Sequence, residues 1–187
     1  EGCVLVEWDA DQLELRVAAA RSGDKEMIRL FQQVGAEKVD FHARAGELLG
    51  LPRNIAKNMN FAILYGGSEY TVMEKTGVDR QTAQRFVAQY FARFPELKAY
   101  LDNEERNALK LGRVSTSFGR VRRIPDLLSS SFASRAAALR EAVNTPIQGT
   151  AADIVKLALY AVLPEIHQRG GRLVGQIHDA WLVELPM

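Results

Sequence analysis

The sequence predicts an α+β chain in which a small antiparallel sheet, contributed by the two ends, brackets a long helical insertion. Three observations predict it. Residues 4–8 form a short apolar run that ends at Asp9, the pattern of a core strand. About 100 residues after it carry repeated helix starts and stops. Residues 173–185 then read as two strands around a tight His178-Asp179 turn.

Taken in order, residues 4–8 have only Glu7 as a polar member, so the strand is expected to be buried. Asp9 or Asp11 is available to cap a helix over 12–20. Gly23-Asp24 makes a turn into a short helix over 25–33, with Met27, Ile28, Leu30 and Phe31 inward. Asp40 opens a helix that runs to Leu49 and is ended by Gly50 and Pro52. A central helix begins at Arg53 and stops at Gly66-Gly67. Ser68 is placed to cap 69–76, and Asp79 to cap a longer helix ending at Phe94. Pro95 breaks the chain before a helix over 96–111, closed by Gly112. Residues 113–125 alternate like a hairpin with Gly119 near the turn. A polar loop follows at 129–134. A helix over 135–144 is expected to stop before Pro146. Thr150 and Asp153 then suit a capping box for a second helix over 151–168, kinked at Pro164.

The chain has 187 residues and a formal net charge of +1. That is ordinary for a soluble globular protein, and no apolar run is long enough to cross a membrane. Nothing at the N-terminus resembles a signal peptide. Glu1 leads at once into an apolar strand, as though the chain were cut from a longer one. The lone Cys3 cannot form an internal disulfide and reads as a buried small hydrophobe. Charge is uneven. Between Arg106 and Arg140 lie eight arginines and lysines against a single acid, Asp126. Such a block is the footprint of a phosphate backbone, or else a solvated charged face.

The central helix carries the most specific pattern. Arg53, Lys57, Phe61 and Tyr65 follow one another at i, i+4 and share a face. Ile55, Met59 and Ile63 form a parallel row suited to the interior. At about 1.5 Å per residue the outward row spans about 18 Å, the reach of an extended nucleoside triphosphate. Cations suit phosphates and an aromatic face suits a base. An ordinary amphipathic surface helix would look similar. What separates the two readings is a pair of carboxylates, Asp9 and Asp179, each at a strand end and far apart in sequence. Two such carboxylates are what a two-metal phosphoryl-transfer site needs. Taken singly, Asp9 could be a plain cap, and His42 by spacing alone reads as a satisfied surface histidine. The His178-Asp179 pair also suits metal-dependent phosphohydrolases, which need further ligands that His42 and His167 do not supply.

Three motifs together resemble the family A, Pol I-type DNA polymerases. Asp9-Ala10-Asp11-Gln12-Leu13-Glu14-Leu15-Arg16 is similar to motif A. Residues 53–66, with spacing R-x-x-x-K-x-x-x-F-x-x-x-Y-G, are similar to motif B. Gln176-Ile177-His178-Asp179 is similar to motif C. Phe118-Gly119-Arg120 and the run Asn144-Thr145-Pro146-Ile147-Gln148-Gly149-Thr150-Ala151-Ala152-Asp153 also fit, so the likeness spans nearly the whole chain.

The resemblance implies a partial palm with a small antiparallel sheet, residues 1–15 and 148–187, and a mainly helical fingers subdomain over 16–147. It implies a DNA-directed DNA polymerase that adds a deoxynucleotide to a primer 3′-hydroxyl and releases pyrophosphate. Asp9, Asp179 and the Ala10 carbonyl would hold two Mg²⁺ ions. Arg53, Lys57 and His42 would bind the triphosphate, with Lys57 also the general acid for pyrophosphate. Phe61 would stack on the incoming nucleotide, and Glu14 with Tyr65 would exclude a 2′-hydroxyl. Gln12 would lie close to the substrate. Arg120, Arg140, Asn144, Gln148 and His178 would meet primer–template DNA. Family members with Phe at the Phe61 position tend to reject dideoxynucleotides, which is expected here. A thumb and an exonuclease region would precede Glu1, so this chain alone is expected to hold DNA weakly and with strong salt dependence. The cytoplasm of a bacterial or phage-infected cell is the implied location.

Three departures stand out. Ala180 replaces the acid that usually follows the motif C aspartate, Ala62 replaces a common glycine, and the His42-to-Arg53 spacing is short. A non-catalytic nucleic-acid-binding remnant and a single-subunit RNA polymerase relative are the competing readings. Retention of Asp9, Asp179 and Lys57 opposes the first, and Glu14 opposes the second.

Overall fold

In a computed structural model, which describes residues 2–32 and 40–187, the two ends of the chain do form one sheet around a helical insertion. Strand β1 (Cys3–Asp9) lies beside β5 (Ala180–Pro186), and β5 beside β4 (Arg172–Ile177), all antiparallel. Between them run α1 (Leu13–Ser22), α2 (Lys25–Gln32), α3 (Phe41–Leu49), α4 (Arg53–Leu64), α5 (Glu69–Thr76), α6 (Arg80–Arg93) and α7 (Pro95–Leu111). A two-stranded ribbon follows, β2 (Arg113–Ser115) with β3 (Val121–Arg123), and then α8 (Phe132–Gln168). The end expected for α2 at residue 33 lies outside the described residues.

The main core sits in the insertion. Leu15, Met27, Phe41, Met59, Ile63, Leu64, Tyr90, Phe94 and Leu97 are almost fully buried and share one cluster. Aromatic rings tie its helices together: Phe31 to Phe41 at 5.1 Å, Phe41 to Phe94 at 5.8 Å, and Phe94 to Tyr90 at 4.8 Å. Two caps work as expected. Asp40 accepts the Ala43 amide at α3 and Asp79 accepts the Thr82 amide at α6. Asp24, fully buried, is shared between two helix starts. It accepts the Met27 amide of α2 at 3.0 Å and the Leu97 amide of α7 at 3.1 Å.

Several expectations are corrected. The strand at residues 3–9 is exposed along its whole length, Cys3 included. The cluster formed with α8, built on Val155, Trp181 and Val183, packs on β5 and reaches Leu173 of β4, but it takes in no β1 side chain. Neither Asp9 nor Asp11 caps α1. Gln12 holds that position in left-handed backbone without a side-chain cap, and Ser68 likewise gives α5 no side-chain cap.

The largest correction is at Pro146. The chain does not break there: Pro146 and Pro164 both lie inside the single 37-residue helix α8. Thr150 therefore caps nothing. Its hydroxyl donates to the Pro146 carbonyl at 2.6 Å and accepts the Ser117 amide at 3.0 Å, bonding back one turn inside a helix. Asp153 pairs with Arg120 instead of closing a capping box. The polar loop is also shorter than expected. A 3₁₀ turn occupies Pro125–Leu128, and Ser131 caps α8 by accepting the Ser134 amide.

Candidate active site

The register of β1 on β5 decides where the carboxylates meet. Trp8 pairs with Trp181 and Asp9 with Ala180, and the Ala10 amide donates to the Asp179 carbonyl at 3.4 Å. Asp9 and Asp179, separated by nearly the whole sequence, thus sit side by side at one end of the sheet. The two tryptophan rings stack at 4.2 Å just behind them. Aromatic pairs on opposed strands fix register.

Both carboxylates line a cavity of about 870 Å³, and Arg53, Lys57, Phe61 and Tyr65 of α4 line it too. The row faces out because α4 is anchored on its other side. Met59, Ala62, Ile63 and Leu64 are buried, and Ile55 is half-buried. At the far end Gly66 takes a positive φ of 69°, and a Cβ there would lie 3.4 Å from the Arg140 Cα. The left-handed backbone there favours glycine, while the contact with α8 is an ordinary van der Waals one.

The aromatic part of the row is a ladder. The His42 ring lies 5.3 Å from Phe61, and Phe61 lies 5.8 Å from Tyr65. Tyr65 donates its hydroxyl to Glu14 at 2.6 Å. Burial pushes the Glu14 carboxyl up, the charge of Asp179 adds to this, and hydrogen bonds from Tyr65 and Gln148 oppose it. Burial and Glu14 together push the Tyr65 phenol well up, so it stays a donor.

At the cationic end Arg53 forms a short ion pair with Asp40. Burial pushes the Asp40 carboxyl up, but Arg53 and the Ala43 amide outweigh it and hold the group below the ordinary carboxylate value. His42 is buried at 4% exposure, not a surface histidine. Burial lowers its pKa, Asp40 raises it, and Lys57 and Arg53 lower it further. Gln12 accepts the Phe41 amide at 2.8 Å, which ties the start of α3 to the loop after β1. Gln12 and His178 are the two non-glycine residues with left-handed backbone among the described residues. Each costs about 1–2 kcal/mol, and both line the cavity. Strain of this kind clusters at working sites.

Of the residues singled out from sequence, Asp9, Ala10, Gln12, Glu14, His42, Arg53, Lys57, Phe61, Tyr65, Gln148, His178 and Asp179 share this one cavity. Arg120, Arg140 and Asn144 do not line it. Arg120 holds Asp153 at 3.0 Å and the Gly149 carbonyl at 2.8 Å. A Cβ on Gly149 would lie 2.6 Å from Thr116, so the ribbon is clamped on α8. Arg122 pairs with Glu141 and Arg135 bonds the Ser129 carbonyl. Much of the arginine block therefore already holds protein.

Asp11, Asp40 and Asn60 belong to the site or its support and went unnoticed among the candidates. The nearness of Asp40 to His42 and of Asn60 to Phe61 was the available signal. The Asp9 and Asp179 carboxylates and the Ala10 carbonyl are hard oxygen donors, and Arg53 and Lys57 in the same cavity are phosphate-binding cations, a combination that suits magnesium. No set of three His, Cys, Asp or Glu able to hold a metal occurs among the described residues. Magnesium needs no such set, since it binds one or two carboxylates and completes its shell with substrate phosphate and water. The donors fit.

A model of DNA polymerase family A matches residues 1–187. The chain belongs to that family. The family A chain is 38% identical over 195 residues to the thermostable DNA polymerase I of Thermus aquaticus, a match covering all of the chain and 23% of that relative. It is 36% identical to DNA polymerase I of Pseudomonas aeruginosa over 196 residues, or 21% of that protein. In three dimensions it superposes on the POL domain of Pol1 from M. smegmatis, solved in complex with DNA primer-template and dNTP. The TM-score is 0.88 at 34% identity, covering the whole chain and 34% of that domain's chain. The family A chain thus spans about a fifth to a quarter of the length of these curated relatives. Among its described residues no helix is long and apolar enough to cross a membrane.

Proposed function

We propose that this chain carries the nucleotidyl-transfer centre of a DNA-directed DNA polymerase, which adds a deoxynucleotide to a primer 3′-hydroxyl and releases pyrophosphate. One observation carries the reading: Asp9 and Asp179, brought together by strand register, line the same cavity as the cation–aromatic row of α4. The M. smegmatis domain that it resembles is described in complex with primer-template and dNTP, which supports the same substrates here. Residues 1–15 and 148–187 act as part of the palm, and residues 16–147 as the fingers.

Asp9, Asp179 and the Ala10 carbonyl would hold the two Mg²⁺ ions. When bound, such a pair activates the attacking oxygen and stabilises charge on the leaving pyrophosphate. Arg53, Lys57 and His42 bind the triphosphate by charge-assisted hydrogen bonds. Incoming phosphate competes with Asp40 for Arg53. Lys57 delivers a proton to the departing pyrophosphate oxygen. Phe61 stacks on the incoming nucleotide. The Tyr65–Glu14 hydrogen bond closes the floor beneath the sugar, and a 2′-hydroxyl there would have to displace it. Gln148 and His178 meet the primer–template at the cavity mouth, with Arg140 and Asn144 beyond it. Arg120 acts on DNA mainly by fixing the ribbon on α8.

The test is single-turnover extension of a primer–template by the full-length polypeptide. Asp9→Ala abolishes Mg²⁺-dependent addition while leaving DNA binding within about twofold. Extension at the wild-type rate would refute the assignment. Loss of DNA binding together with extension would favour a structural role for Asp9. Dideoxynucleotides are incorporated poorly, and ribonucleotides are rejected until Glu14 is replaced by Ala.

A further inference from the structure

We propose that Asn60 is a positioning residue for His42: its side-chain N–H, bonded to Nδ1, holds the neutral ring with its proton on Nε2. That nitrogen is then the one donor the ring can offer to a triphosphate oxygen. The inference rests on the polymerase reading of the cavity.

Asn60 lies on α4 one residue before Phe61 and is fully buried. Its amide nitrogen is 2.9 Å from His42 Nδ1. A neutral imidazole has one acceptor nitrogen and one donor nitrogen, and the partner of one fixes the other. With an N–H donated to Nδ1, the proton must sit on Nε2. The opposite amide orientation would place the carbonyl oxygen at Nδ1 and require the ring proton there. It would also put the NH₂ where no acceptor is found, because the Asn60 Oδ1 has no hydrogen-bond partner. An orphaned buried N–H is rarer and worse tolerated than an under-satisfied carbonyl, so the observed orientation is held.

Packing alone would not select this residue. A leucine of similar size would bury no unsatisfied carbonyl. The benefit lies in the ring it aims. Tautomer control by a hydrogen bond to the far nitrogen is the usual way a working histidine is set. The charged groups facing His42 come from three places: Asp40 at the start of its own helix, Arg53 and Lys57 on α4, and Asp11 after β1. The Phe61 ring lies beside the His42 ring, tilted by 47°. The site thus offers the triphosphate two fixed cations and one oriented neutral donor.

The experiment uses the full-length polypeptide labelled with ¹⁵N-histidine, with the His42 resonances identified by their absence in His42→Gln. Wild-type protein at neutral pH is expected to show a pyrrole-type Nε2 and a pyridine-type Nδ1. Asn60→Asp, which can only accept, is expected to move the proton to Nδ1. In parallel, Asn60→Leu raises KM for the incoming nucleotide about tenfold with a much smaller change in kcat. In the His42→Gln background it adds no more than about twofold. A wild-type ring protonated on Nδ1 would overturn the proposal, as would losses that multiply in the double variant. Should Asn60→Leu fail to fold, the wild-type spectrum and Asn60→Asp still decide. A protein that adds no nucleotides but whose ring still follows Asn60 would refute the polymerase reading and not the hold of Asn60 on His42.

Discussion

Glu14 shows most clearly how single residues here trade stability for use. Its carboxyl is raised above its ordinary value, chiefly by burial. Its contribution to stability is therefore fully present below the unfolded value of 4.5 and is lost as pH rises through the folded value. Glu14→Gln removes that loss, so the variant is expected to unfold at higher urea than wild type at pH 7 while discriminating ribonucleotides less well. Equal or lower urea midpoints would contradict this. His42 runs the other way. Burial holds its pKa below 6.5, so its contribution is present above that value and is lost as pH falls through the folded one. Urea midpoints measured from pH 7.5 to 5 should fall for wild type more steeply than for His42→Gln. Lys57→Ala is expected to slow single-turnover addition by about 10²–10⁴-fold. Most of these residues stand out in the sequence as motif members, and the structure gathers them around one cavity. Asp40 and Asn60 do not stand out, because their work is done on other side chains, and a sequence does not show who faces whom.

Among the elements, Asp24 is the joint with the most to lose. It satisfies one amide in each of two helix starts while fully buried. Asp24→Ala leaves both unpaired and is expected to cost roughly 2–4 kcal/mol, about twice an ordinary cap. Asp24→Asn, which keeps one acceptor, should lose less. Denaturant unfolding measures both, and a loss under 1 kcal/mol for the alanine variant would contradict the shared-cap account. Most elements could be read from sequence: the α4 periodicity, the caps at Asp40 and Asp79, and both hairpins. Two could not. Pro146 is a local stop signal, overridden here because the α8 segment through it is buried and its Thr150 hydroxyl bonds both the Pro146 carbonyl and the ribbon. The apolar run of β1 looks the same whether a strand is covered or at an edge, so its exposure was not legible either.

At the scale of the whole molecule, the fold's main achievement is convergence. The sheet takes one strand from the start of the chain and two from its end, and the register of β1 on β5 sets Asp9 next to Asp179. The helical insertion between them then presents α4 to the same cavity. Strand ends and the helical row are visible separately in the sequence, and the chemistry of a two-metal site together with the motif likeness points to their meeting, since pairing between distant strands leaves no local trace. The ribbon arginines are partly engaged within the protein, so DNA affinity of this chain alone should be weak and fall steeply between 50 and 200 mM salt, about tenfold or more. A filter-binding series checks it, and salt-independent binding would contradict it. The convergence itself is tested most directly by electron paramagnetic resonance with Mn²⁺ replacing Mg²⁺ in the full-length polypeptide with primer–template and a non-hydrolysable dNTP analogue. The account predicts two magnetically coupled Mn²⁺ ions, with coupling lost in both Asp9→Ala and Asp179→Ala. Uncoupled Mn²⁺, or coupling that survives either substitution, would contradict it.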